Sequence, residues 1–164
     1  MEALTKIRAD LVNLVSSLNE EEINYKPHKE NWSIAQVLFH LALVEKAVTF
    51  QLSSVPVEKD EPIPEKPILL TLDRTVKVKV PTPDFEPKNS HFHLPELIEK
   101  LSKTRAKLLE TYERYDKEKL HTQGFTHPAY GLLHIEQWLQ FIRLHEQRHL
   151  EQIKDIKLSL LINQ

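Results

Sequence analysis

Two histidines four residues apart, His145 and His149, interrupt the apolar stripe of the segment FIRLHEQRHLEQI, residues 141–153. One helical turn separates them, about 6 Å along an axis, so both imidazoles point the same way. Imidazoles at i and i+4 can share one metal ion, and the HExxH zinc motif uses this spacing with a glutamate after the first histidine. Here the interior reads His-Glu-Gln-Arg-His, which makes Glu146 a candidate acid–base residue. A residue next to a ligand points about 100° away from it, however, which suits a solvated or ligand-orienting carboxylate equally well. No other element of a metalloprotease is recognisable. The alternative to a metal is two surface or hydrogen-bonded core histidines. Against it, both sit at the phase where Leu or Ile would pack, and a buried polar group left unsatisfied costs roughly 1–3 kcal/mol.

A third imidazole, His40, lies in the apolar run IAQVLFHLALVEKAVTFQL, residues 34–52. It falls seven residues past Ser33, about 10 Å below the start of its helix. His149 and His145 fall seven and eleven residues before Ile156, about 10–16 Å from the far end of theirs. The depths match if the two helices are antiparallel and mismatch if they are parallel.

Four helices must position these residues. The first covers residues 3–19, with Leu4, Ile7, Leu11, Leu14, Val15 and Leu18 on one face and Lys6, Arg8, Asp10 and Asn13 on the other. A second opens at Ser33, where Ser33 and Gln36 form a capping-box pattern with Trp32 just ahead. It is apolar around most of its circumference, so it is buried on more than one side. The third starts near Pro95 and runs to about Tyr115. The fourth runs from about Gly131 to Lys157, with Ile135, Leu139, Ile142, His145, His149, Ile153 and Ile156 in its core stripe. Residues 116–130 read as a loop with room for one extra turn.

Residues 54–94 join the second and third helices and hold Pro56, Pro62, Pro64, Pro67, Pro81, Pro83 and Pro87, which forbid a continuous helix. Within them Val76, Val78 and Val80 alternate with lysines, a pattern for a short strand or extended edge. A connection of this length is far beyond the usual link. Two successive helices that run parallel need one. With short-loop antiparallel pairs on either side, the predicted fold is all-α, a four-helix bundle in up-down-down-up order with a long Pro-rich crossover. The histidine depths require the same order independently.

Composition narrows the function classes. At 164 residues the chain reads as a single domain, 1–164. It has no cysteine, which removes disulfides and thiol nucleophiles, and only two glycines, which removes Gly-rich phosphate loops. A formal net charge of −2 gives no case for nucleic acid. No apolar run approaches membrane-spanning length, and the N-terminus does not read as a signal peptide, so a cytoplasmic protein is expected. The apolar circumference of the second helix leaves room for a homodimer interface and equally serves a bundle core. The remaining histidines do not converge. His91 and His93 flank Phe92 in a loop before the third helix, where a metal role is only a long shot, His121 and His127 belong to the 116–130 loop, His134 lies three turns from His145, and His28 reads as solvated.

The motifs WSIAQVLFHL and HPAYGLLHIEQWLQFIRLHEQRHLEQI together resemble the DinB-like (YfiT-like) superfamily of metal-dependent enzymes. The resemblance rests on Trp32, Ser33, His40, His127-Pro128, Gly131, Trp138, His145, His149, Gln152 and Ile153. It implies a four-helix bundle of up-down-down-up topology and a divalent metal, zinc or nickel, held by three histidines that map onto His40, His145 and His149. Members of that superfamily include thiol-dependent transferases that use bacillithiol or mycothiol, and the resemblance fixes no substrate.

Three neutral imidazoles would leave a divalent ion its full charge and an open position, the layout of a catalytic rather than a structural site. The open position suits water, whose pKa the ion lowers toward ~7, or a low-molecular-weight thiol. The expected activity is a hydrolase or thiol transferase acting on a small molecule. The reading from another class is a non-catalytic metal or small-ligand binding bundle, such as a stress-related sensor. Gln36, one turn before His40, and Gln152, one turn after His149, are the residues placed to orient an imidazole.

Overall fold

The computed structural model describes residues 1–75 and 85–162. Helix α1 (Glu2–Val15) buries Leu4, Ile7, Leu11 and Val15, the helical spacing of its apolar residues. It ends four residues before the predicted limit, because Asn19 and Glu22 form a reciprocal capping box that starts a separate short helix, α2 (Glu20–Asn24). Helix α3 (Ile34–Leu52) opens on the Ser33–Gln36 capping box as its sequence requires, and buries Ile34, Val37, Leu38 and Leu41 on more than one face. Helix α4 (Leu94–Glu113) carries Pro95 in its first turn, where a missing N–H costs nothing. The last helix, α5 (Ile135–Ile162), starts later and ends later than predicted.

Hydrogen bonds between helices fix their directions. Along α3 and α4, the Gln36 amide donates to the Lys88 carbonyl, Arg105 pairs with Glu45, and the Tyr115 hydroxyl donates to the Leu52 carbonyl. Start meets start and end meets end, so these helices are parallel. Arg8 reaches Glu146 while Lys157 reaches the Leu14 carbonyl, so α1 and α5 are also parallel. His40 near the start of α3 meets His145 and His149 in the second half of α5, which makes that pair antiparallel. The order is up-down-down-up, as predicted.

The bundle is not purely helical. Residues 116–130 read as a loop with one extra turn, and that turn is the 3-10 turn at Lys117–Lys119, but the segment also forms strand β2 (Gln123–His127), followed by β3 (Gly131–His134). With β1 (Val57–Glu58) these form a three-stranded antiparallel sheet in the order β1-β2-β3, with Phe125 opposite Leu133. Both glycines of the chain serve this hairpin. Gly131 adopts φ +74°, open to glycine at no steric cost, and a Cβ on Gly124 would lie 2.2 Å from the Leu133 carbonyl oxygen. Gly131 therefore closes the turn instead of opening the fourth helix.

The crossover contributes β1 and a 3-10 turn at Ile68–Leu72, which lies against α5 through Arg148 donating to the Thr71 carbonyl. The alternating Val76, Val78, Val80 pattern falls outside the described residues. No described helix is long and apolar enough to cross a membrane.

Two apolar layers make the core. One gathers Leu11, Ile34, Leu38, Leu97, Leu101 and Ile153, the other Val48, Leu108, Leu133, Trp138 and Leu144. A layer of charge separates them, with one residue from each of the four long helices: Arg8, Glu45, Arg105 and Glu146.

Candidate metal centre

The structure brings together the three histidines predicted from spacing and depth. His40 Nε2 lies 3.3 Å from His145 Nε2, and His149 Nε2 lies 3.2 Å from the same atom. Among the described residues, the ligand atoms of His40, His145 and His149 form a group within 4.8 Å of one another. His40 and His149 are buried, and His145 is half-buried.

Neighbouring acceptors set the tautomers. His40 Nδ1 donates to the Phe85 carbonyl at 2.8 Å, and His149 Nδ1 donates to the Gln152 side-chain oxygen at 2.8 Å. A carbonyl can only accept, so the proton of each neutral ring sits on Nδ1 and the Nε2 lone pair faces inward. Burial pushes the pKa of all three rings down: His149 to about 3, His145 well below its ordinary value with His149 and His40 adding to the effect, and His40 in the same direction. All three are neutral at pH 7, the protonation state a metal ligand needs.

Inward lone pairs on two rings, with at most one N–H on His145 to share, leave the cluster short of donors. A divalent ion of the zinc class, which accepts imidazole nitrogen at about 2.0–2.1 Å, fits this donor set. Aromatic rings wall the site. Trp32 lies 4.9 Å from the His40 ring and stacks 6.4 Å from His149, while Phe141 stacks on His145 at 5.7 Å.

Of the two glutamines placed to orient an imidazole, Gln152 does so. Gln36 does not: its side-chain oxygen accepts from the Ser33 N–H in the capping box and its amide donates to the Lys88 carbonyl.

Glu146, the candidate acid–base residue, is 1% exposed and turned away from that role. One oxygen accepts from Arg8 Nε at 2.5 Å and the other from an Arg105 terminal nitrogen at 2.5 Å. Glu45 completes the set, accepting from Arg105 Nε, from Arg8 and from the Thr104 hydroxyl. Burial works to lower the Arg8 pKa, but Glu146 and Glu45 outweigh it and hold the guanidinium above its ordinary value. Arg8 was expected on the solvent face of its helix, and the two buried carboxylates turn it inward. The signal in the sequence was Glu45 within an apolar run, and Arg105 at the spacing of Leu101 and Leu108.

His127 packs on Tyr130, Trp138 and Phe141, with ring centroids at 5.0, 5.2 and 4.5 Å. His134 lies elsewhere, at the start of α5, where its Nδ1 accepts from the Gln137 N–H at 3.2 Å.

Comparison with known proteins agrees with this architecture. The family model of the DinB superfamily matches residues 3–153. The protein YuaE of Bacillus subtilis (strain 168), itself described as uncharacterized, is 33% identical over 161 residues, covering 96% of each chain. Two solved structures share the fold. TT2238, a four-helix bundle protein, superimposes with a TM-score of 0.62 at 22% identity over 94% of each chain. YfiT from Bacillus subtilis, described as a probable metal-dependent hydrolase with an unusual four-helix bundle topology, gives a TM-score of 0.65 at 16% identity, over 97% of this chain and 84% of its own.

Proposed function

The chain belongs to the DinB superfamily, and from that premise we propose that it is a metal-dependent hydrolase of a small molecule. His40, His145 and His149 hold one divalent ion, zinc or nickel. The observation that carries this reading is the convergence of three Nε2 atoms, two of them fixed in the ligating tautomer by Phe85 and Gln152. The description of YfiT as a probable metal-dependent hydrolase supports the same reaction class here.

When bound, the ion supplies Lewis acidity that makes a water, or a low-molecular-weight thiol, nucleophilic near neutral pH. The rest falls to the chain. Phe85 and Gln152 hold two rings against rotation, which keeps ligand directions set before the ion arrives. Trp32, packed on His40 and His149, and Phe141, stacked on His145, wall the cluster with aromatic rings. Arg148 ties the crossover to α5 through the carbonyls of Thr71 and Asp73, beside the cluster's own helix.

Elemental analysis of the purified chain and its His149→Ala variant, followed by assay of activated esters and amides, tests the proposal. About one equivalent more metal in the parent than in the variant, and turnover only in the loaded parent, are expected. Stoichiometric metal with no hydrolysis, but transfer of a thiol to an electrophile, would replace hydrolase by thiol transferase. Failure of the triad to bind metal would overturn the proposal.

A further inference from the structure

A second set of imidazoles converges outside the buried cluster. His91 and His93 flank Phe92 in the segment entering α4, and His93 is extended at φ −103°, ψ 129°. Residues two apart in extended chain project to the same face. Both rings are exposed accordingly, and they lie 5.6 Å apart.

The segment is clamped in place. The Asn24 side chain donates to the Phe92 carbonyl at 2.9 Å and accepts from the Phe92 N–H at 3.0 Å, and the Phe92 ring lies 5.1 Å from that of Phe39. Asn24 closes α2, whose first turn carries Glu20. One carboxylate thereby reaches both rings, Oε1 to His93 Nδ1 at 2.5 Å and Oε2 to His91 Nε2 at 3.4 Å. The three ligand atoms lie within 4.8 Å of one another.

The geometry points to a second metal site, Glu20–His91–His93, on the surface of the bundle end that also carries the buried cluster. It takes one divalent first-row transition ion, with water in the remaining positions. Two imidazoles and one carboxylate form a donor set that zinc uses in open sites, whereas calcium and magnesium take oxygen ligands. Ligands at about 2.0–2.2 Å from one ion stand at most about 4.4 Å apart. Exposed side chains reach that spacing by rotation, with the backbone already held by Asn24. The two groups share no ligand, so the two ions are distinct.

Zinc titration of the full-length chain, without a histidine tag and stripped by a chelator, tests the site. Two equivalents are expected in the parent. His91→Ala and His93→Ala each remove one, Glu20→Gln weakens it, and His149→Ala removes the other. Because His91 and His93 are exposed, the metal-free variants should keep the parent's melting temperature, which separates ligand loss from unfolding. A single equivalent, lost in His93→Ala and kept in His149→Ala, supports the surface site while overturning the buried one. No equivalent sensitive to His91 and His93 overturns the surface site.

Discussion

His145 and Glu146 are consecutive on α5 and serve opposite needs of the bundle. The imidazole joins the cluster shared with α3, and the carboxylate joins Arg8 of α1 and Arg105 of α4. The turn of about 100° between successive helical residues is enough to divide the two roles. What resembles the glutamate of an HExxH motif is here a buried counter-ion.

Removing that counter-ion should cost stability rather than metal. Glu146→Ala leaves the buried Arg105 and the half-buried Arg8 facing Glu45 alone, and breaking a buried pair in this way typically costs about 3–5 kcal/mol. Urea denaturation should show that loss, with the metal content of the folded fraction unchanged. A Glu146→Gln variant that kept parental stability and full metal yet lost turnover would instead return the residue to the catalytic role its sequence position suggested.

The two glutamines should separate in a complementary way. Gln152 accepts from His149 Nδ1, so Gln152→Ala should weaken metal affinity by about 10–100-fold, the usual effect of losing a ligand-orienting partner, and leave the fold intact. Gln36 caps α3, so Gln36→Ala should cost on the order of 1 kcal/mol of stability with little change in affinity. Competition against a chelating dye measures the first effect and thermal unfolding the second. Equal affinities in the two variants would remove Gln152 from the site.

These contrasts show what the sequence could disclose. The triad was legible because His145 and His149 occupy an apolar phase one turn apart and His40 lies at a matching depth, all within-helix facts. The long crossover disclosed which helices run parallel for the same reason, since chain length constrains direction. Arg8 was misplaced because its partners, Glu45 and Glu146, lie on other helices, and only the register between helices brings them together. The hairpin was missed because strands of five and four residues carry too few alternations to stand out, and Gly124 and Gly131 read as loop without the carbonyl of Leu133 in view. Short helix α2 hid in a polar connection, although Asn19 and Glu22 spell its capping box.

Acid should weaken the hairpin through its histidines. His127 Nδ1 accepts from the backbone N–H groups of Ala129 and Tyr130, at 3.0 and 3.3 Å, and His134 Nδ1 caps α5. Both acceptors vanish on protonation. Burial holds His127 down to about 4, and burial followed by the neighbouring His121 holds His134 below its ordinary value. The unfolded chain, with histidine near about 6.5, therefore takes up protons first as pH falls. This contribution to stability is complete above about pH 6.5 and is lost between there and about pH 4. Asn keeps a cap acceptor without titrating, so metal-free His134→Asn should lose less stability than the metal-free parent on going from about pH 7 to about pH 5. Identical losses would show that the cap is indifferent to protonation.

His149→Leu should expose the conflict between the cluster and the core. In the metal-free chain, three imidazole nitrogens converge with too few protons to satisfy them, and burial has already driven the His149 pKa down to about 3. A leucine of similar size in that stripe removes one of them and adds apolar contact with Trp32. The metal-free variant should therefore be at least as stable as the metal-free parent. Adding zinc or nickel at a hundred times its dissociation constant should stabilise only the parent, by about 2.7 kcal/mol from mass action. Where the surface histidines also bind, the His93→Ala background isolates the buried contribution. Thermal unfolding of the four samples, each with and without metal, reads both effects at once. A metal-free variant clearly less stable than its parent would mean that His149 is satisfied as a core residue without any ion. The inward lone pair would then be no argument for a metal.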